Sequence, residues 1–263
     1  MVEHGEYLRQ NYARYLEPFL GGGAVFFHLR PERAMLSDLN EALIATYQAL
    51  RDEPSEVWRH LKRHQRQHGE EYYYLVRSQR PRTSARRAAR FIYLNRTCFN
   101  GLYRVNLDGV FNVPKGTRNS VILPTDDFDS VSEILQSASL IPQGFSESIS
   151  QAAKGDFLYV DPPYTVLHNN NNFLRYNERI FSWSDQRRLA ECLTQAAKRG
   201  ACILMSNADH GSIRDLYRDR IWQCLPVSRL SLLASSVSNR RATTELVISN
   251  YLDEQGKQVD PRY

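Results

Sequence analysis

The residues best suited to chemistry in this sequence stand at 161–164. Asp161-Pro162-Pro163-Tyr164 follows the strand-like run "DFLYV" at 156–160. A carboxylate accepts hydrogen bonds. A carbonyl held by proline does likewise, because the fixed φ keeps the loop from relaxing away. Tyr164 adds a flat aromatic face. Two acceptors beside a stacking surface suit the exocyclic amino group of a planar heterocycle. An Asp-Pro pair is also a common rigid turn, so the specificity lies in the order of all four residues after a buried strand.

A second constellation opens the chain. "EPFLGGGAVFF" spans 17–27, with Glu17, Pro18 and Phe19 leading into Gly21–Gly23, and Asp38 ends the next strand. Glycines let the backbone turn tightly and approach a ligand with no Cβ in the way. An acid at the end of the following strand accepts hydrogen bonds from ribose hydroxyls. The spacing is not G-x-G-x-x-G, and the glycines alone also fit a plain connector. A third stretch, "YLNRTCFNGLYRVN" at 93–106, interleaves arginines with Phe99, Asn100 and Tyr103, beside six arginines in residues 76–90. Arginine suits phosphate, and aromatic and amide side chains suit stacking and base edges. A solvated basic helix end is the ordinary alternative. Finally, His60, His64 and His68 recur every four residues with Glu56 one turn earlier. That spacing fits zinc, but H-E-x-x-H is missing and the helix reads as polar and exposed, so we expect no metal.

The elements that position these residues alternate. A short strand at 13–20 runs into the glycines, "AVFFHL" restarts as a helix, "AMLSD" (34–38) is a second strand and Glu41–Leu50 a helix. Strand, glycine turn, helix, strand and acid open a doubly wound nucleotide-binding sheet. Residues 53–80 are mostly polar and helical. In 84–95, Ala85, Ala88, Ala89 and Ile92 give one apolar helical face, with Arg86, Arg87 and Arg90 elsewhere on the surface. "VNLDGVFNV" (105–113) carries an Asp-Gly hairpin signal. "NNNN" (169–172) reads as loop. The α/β rhythm returns with strands at 156–160, 201–206 and 243–251 and a helix whose Leu189, Leu193, Ala196 and Ala197 share a face. We therefore expect an α/β sheet domain of residues 1–49 and 146–263, interrupted by a helical, basic segment of residues 50–145.

With 263 residues, 42% hydrophobic and 24% charged, the composition is that of a globular protein. No apolar run approaches the ~20 residues that span a bilayer, and a cytoplasmic location is the default expectation. Four scattered cysteines, none in C-x-x-C, read as reduced core thiols. A net charge of +5 tilts toward a polyanionic partner.

Together these stretches resemble the D12, or Dam-like, class of DNA adenine-N6 methyltransferases. The resemblance runs from Glu17 to about Tyr251. "EPFLGGGAVFF" resembles that family's motif I and "SDLN", with Asp38, its ribose-binding acid. "YLNRTCFNGLYRVNLDGVFNVPKG" is similar to the start of its DNA-recognition region, "DPPY" to its catalytic motif IV, and "MSNADH" and "ELVISNY" to late core elements. The resemblance implies a Rossmann-like methyltransferase sheet with an inserted, mainly helical DNA-recognition domain carrying a β-hairpin. It implies S-adenosylmethionine as donor and duplex DNA as substrate, with the adenine flipped into the pocket. Asp161 and the Pro162 carbonyl would bind its amino group, Pro163 would stiffen the loop, and Tyr164 would stack on the ring. Glu17, Pro18, Phe19, Gly21, Gly23, Asp38, Phe145 and Asp161 would surround the cofactor. Arg86, Arg87 and Arg90 would contact phosphates. Phe99, Asn100, Leu102 and Pro114 would meet the DNA around the flipped base, and Arg104 would read a guanine edge. Family members also carry an aromatic-Gly-Gly-Lys stretch before motif I, and residues 1–16 hold no Gly-Gly-Lys. That departure carries a second expectation: a DNA-binding protein of methyltransferase fold, weak in cofactor binding and catalysis, that serves a larger assembly.

Overall fold

A computed structural model of the chain describes residues 5–101, 104–105, 110–166, 181–230 and 242–262. Two compact units emerge, residues 1–39 with 143–263, and residues 40–142.

The first unit begins with β1 (Arg14–Glu17), buried from Tyr15 onward. Its glycine turn needs glycine: Gly21 and Gly23 sit at φ 46° and 63°, a region that side-chain-bearing residues enter at a cost. Helix α1 (Ala24–Leu29) follows at once and buries Val25 and Phe26. β2 (Ala34–Asp38) then runs parallel to β1, with Leu16 opposite Met35.

The second unit opens at Asn40, whose side chain accepts from the amides of Ala42 and Leu43 and caps α2 (Glu41–Asp52). α3 (Pro54–Gln67), α4 (Glu70–Ser78) and α5 (Ser84–Thr97) follow. α5 packs against α2, α3 and α4. It buries Ala85, Ala88 and Ala89 and exposes Arg86 and Arg87. Arg90 behaves differently from the surface residue its position suggests. It is half-buried and donates to the carbonyls of Val76 (2.9 Å) and Arg77 (2.6 Å), in the last turn of α4. After α5 the chain folds back on itself. The Phe99 amide donates to the Pro114 carbonyl at 2.9 Å, and Val105 bridges Phe111 in antiparallel sense. The expected hairpin thus has paired arms; its Asp-Gly tip lies outside the described residues. Arg96 clasps Asp126 through two bonds of 2.6 and 2.7 Å. α6 (Phe128–Leu135) and β3 (Ala138–Pro142) close the unit.

The chain re-enters the first unit through α7 (Phe145–Ser150), β4 (Asp156–Val160), α8 (Trp183–Lys198), β5 (Cys202–Ala208), α9 (Gly211–Leu216), β6 (Gln223–Leu230) and β7 (Ala242–Ser249). Within this unit the strands run in the order β2-β1-β4-β5-β7-β6. β4 lies between β1 and β5, parallel to both, and is buried at all its positions. A strand covered on both faces reads as a continuous apolar run, which is why "DFLYV" stands out in the sequence. β7 is antiparallel to both neighbours. Ser182 and Asp185 form a reciprocal capping box at the start of α8.

The breaks at 39/40 and 142/143 differ from the expected 50–145 segment because α2 packs on α3 and α5, within the helical unit. Cys98 and Cys202 are buried thiols, and Cys192 and Cys224 are partly exposed. Among the described residues, no helix is long and apolar enough to cross a membrane.

Candidate active site

In the first unit the ends of three parallel strands meet at an open cleft of about 790 Å³. Pro18, Phe19 and Gly21 line it beyond β1, Asp38 and Leu39 beyond β2, and Asp161, Pro162 and Pro163 beyond β4. Carboxyl ends of parallel strands are where such sheets bind ligands, because the connecting loops diverge there. Asp38 fastens one wall by accepting the Gly21 amide at 3.1 Å. Phe145, at the start of α7, stacks on Phe19 with ring centroids 5.4 Å apart, and Phe181 sets its edge against Phe19 at 5.6 Å. The result is an aromatic wall beside a row of carboxylates. Asp38, Glu147, Asp161 and Asp185 line the cleft, with Arg188 as the single basic lining residue among the described residues. Arg188 is itself engaged, by Asp185 at 2.9 Å and by the Phe145 ring at 4.9 Å. A pocket with this charge favours a cationic ligand.

Asp161 is oriented from below. The Ser206 hydroxyl, at the end of β5, donates to Asp161 Oδ1 at 2.7 Å. The register that sets Val160 opposite Met205 delivers these two residues side by side. Tyr164 keeps its proton. Burial first, and then the Asp161 carboxylate, hold its phenol well above the ordinary range. One buried acid stands behind the cleft. Glu17 is 3% exposed and accepts from Tyr15 Oη at 2.8 Å. Burial pushes its carboxyl up to about 8; the Tyr15 bond and the Phe26 amide pull down, while Asp161 and Asp38 push up.

Of the residues singled out for a cofactor, Pro18, Phe19, Gly21, Asp38, Phe145 and Asp161 line this cleft, whereas Glu17 and Gly23 are outside its lining. Gly23 instead packs where a Cβ would meet the Phe27 ring at 3.1 Å. Sequence reasoning missed Leu39, Phe181, Arg188 and Ser206. Leu39 and Ser206 left a trace, inside "SDLN" and "MSNADH".

The residues singled out for DNA lie in the second unit. Phe99 is 52% exposed, and Asn100 takes a left-handed φ of 54°. Arg104 is exposed, its Nε donating to Asn112 Oδ1 at 3.1 Å. Pro114 is exposed with its carbonyl tied to Phe99. Leu102 and Tyr103 lie outside the described residues. The histidine helix corrects one expectation, because its face is packed and not exposed. His60 is buried, His64 stacks on Tyr93 at 4.8 Å and bonds to Tyr72 Oη at 2.9 Å, and His68 Nδ1 lies 2.9 Å from Tyr93 Oη. Burial pushes His64 down to about 4.

A glycine turn, an acid on the next strand and an Asp-Pro-Pro-Tyr loop around one cleft belong to the class of methyltransferases with an α/β sheet. The particular family follows from comparison. Residues 3–231 match the model of the D12 class N6 adenine-specific DNA methyltransferases, and the chain belongs to that family. It is 36% identical over 261 residues to the type II methyltransferase M1.LlaDCHI of Lactococcus lactis subsp. cremoris, covering 95% of this chain and 91% of that protein. To the DNA adenine methylase of Vibrio cholerae serotype O1 it is 36% identical, covering 77% and 75%. To the type II methyltransferase M.MjaIII of Methanocaldococcus jannaschii it is 34% identical, covering 75% and 74%. The activity class is therefore methyl transfer to adenine N6 in DNA.

Proposed function

We propose that the methyl donor is S-adenosylmethionine, held in the strand-end cleft, and that the acceptor is an adenine flipped out of duplex DNA beside Asp161. The observation that carries this reading is the cleft itself, whose carboxylate row and aromatic wall end at a serine-oriented aspartate. Bound there, S-adenosylmethionine supplies an electrophilic methyl on a positively charged sulfur, and the acidic lining suits that charge. Asp38 would accept from the ribose hydroxyls, while Phe19, Phe145 and Leu39 would enclose the adenine of the donor. Asp161 and the Pro162 carbonyl would accept the two hydrogens of the target amine, which makes its lone pair more available for in-line attack. Tyr164, protonated, would stack on the target ring as a neutral surface. Catalysis of this kind is positioning and electrostatics, with no strong base. In the second unit, Arg86 and Arg87 would meet phosphates, Phe99 and Asn100 would fill the space the base leaves, and Arg104 would read a guanine edge.

Incubation with radiolabelled S-adenosylmethionine and DNA devoid of adenine methylation should label the DNA, and sequencing should place N6-methyladenine at one short recurring site. Absence of label, or label on cytosine, would refute the assignment. Ser206→Ala provides a finer check, because a hydrogen bond to a charged group is worth about 1.5–3 kcal/mol. Turnover should fall roughly tenfold or more, with the KM for S-adenosylmethionine changed less than about twofold. A rise in KM at constant kcat would instead make Ser206 part of donor binding.

A further inference from the structure

Three arginines of the second unit have acidic partners. Arg51 pairs with Asp52, Arg59 with Glu56, and Arg96 with Asp126. Arg63, Arg80, Arg86 and the half-buried Arg90 line a depression of about 520 Å³ between α3, α4 and α5. Arg63 lines it from α3, Arg80 from the turn after α4, and Arg86 from α5. Among the described residues no carboxylate lines it. Arg80 and Arg86 make no hydrogen bond or ion pair among the described residues, and Arg63 reaches only the Gln67 amide oxygen, at 3.4 Å. The imidazole of His60, which also lines the depression, is held below its ordinary pKa first by burial and then by Arg59, Arg86 and Arg63, with Glu56 pulling the other way. One wall is apolar, formed by Leu75, 55% exposed, and Tyr72.

We infer that this depression seats the sugar–phosphate backbone of a DNA strand. Guanidinium groups bind phosphate oxygens through paired donors, and the Leu75–Tyr72 wall offers a surface for deoxyribose. A solvated basic face would need neither the concavity nor the apolar wall, and Arg51, Arg59 and Arg96 of this unit are by contrast paired with acids. The inference rests on the DNA methyltransferase reading and deepens it. Arg63 and Arg80 become backbone contacts in addition to the residues of 86–114 already assigned to DNA.

The test is Arg63→Gln/Arg80→Gln, with binding to duplex DNA followed by fluorescence anisotropy across a salt series. Each lost phosphate contact reduces the slope of log K against log salt by about 0.9. The double variant should flatten the slope by about 1 to 2 units and weaken binding to duplexes with and without the methylation site alike, since backbone contacts carry no sequence. Equal slope and affinity within about twofold for variant and wild type would overturn the inference. If the wild type itself binds no duplex, the DNA reading has failed, and this inference with it. Titration with inorganic phosphate separates another case. Phosphate binding lost in the variant at an unchanged DNA slope would mean that the depression takes a free anion, which also overturns the strand assignment. Should the double variant melt early, Arg80→Gln alone, on an exposed turn, is expected to lower the slope by about 1 unit.

Discussion

Asp161→Ala should lower methyl transfer at least about 100-fold while leaving the melting temperature within a few degrees of wild type. Removal of one preorganised hydrogen-bonding group at a reacting centre costs about 3 kcal/mol or more. Asp161 is exposed at the cleft, so little packing is lost with it. The variant does remove the acceptor of the Ser206 hydroxyl, which is 3% exposed, leaving it to Tyr159 and Tyr164. Asp161→Asn separates the two effects. Its amide oxygen can still accept from Ser206, but its amino group faces the target amine with a donor where an acceptor is required. Both variants should be inactive, and Asn should be the better folded. Wild-type turnover by either would remove Asp161 from the chemistry, whatever the comparisons say about the family.

Raising the pH from 5 to 8 should cost the fold about 3 kcal/mol through Glu17 alone. The carboxyl titrates near its ordinary 4.5 when exposed and near about 8 when buried beside Asp161 and Asp38. Between those values the native state holds a proton that the unfolded chain has released. Unfolding free energy therefore falls as pH rises through this window, and the dependence ends once both states are ionised. Glu17→Gln retains an acceptor for the Tyr15 hydroxyl and has no proton to lose. Urea unfolding at pH 5, 6, 7 and 8 should show the Gln variant gaining on wild type by about 3 kcal/mol across the series. Two curves that stay parallel would show that Glu17 is ionised throughout.

What the sequence discloses of this architecture depends on how local each cause is. β4 is legible because a strand buried on both faces is apolar along its length and ends at Asp161. β1 and α1 are legible because a glycine turn separates two simple periodicities. β6 escapes notice. Its "QCLPVSRL" mixes polar residues and Pro226 into a strand at the sheet edge, where proline is tolerated. β3, only five residues long and alternating between buried and exposed, sits inside a stretch that otherwise reads as helical. The Asp-Pro-Pro-Tyr loop and the glycine turn could be located because their residue types are unusual in sequence. Ser206 could not. A serine after an apolar run becomes informative only when the β4–β5 register lays it against Asp161. The histidine helix misled for a related reason. Its polar residues suggested solvent, yet Tyr72 and Tyr93 arrive from other helices to hydrogen-bond His64 and His68.

The second unit is one uninterrupted stretch of chain, leaving the first after Leu39 and returning at Gln143. Both junctions fall outside the helices and strands, the former between β2 and α2 and the latter between β3 and α7. A single genetic exchange with endpoints at these two places would replace every residue of α2 through β3 without cutting the glycine turn, Asp38 or the Asp161 loop. The strand-end cleft and the helical unit are thus written in separable lengths of gene, so that a lineage can exchange the second while inheriting the first intact.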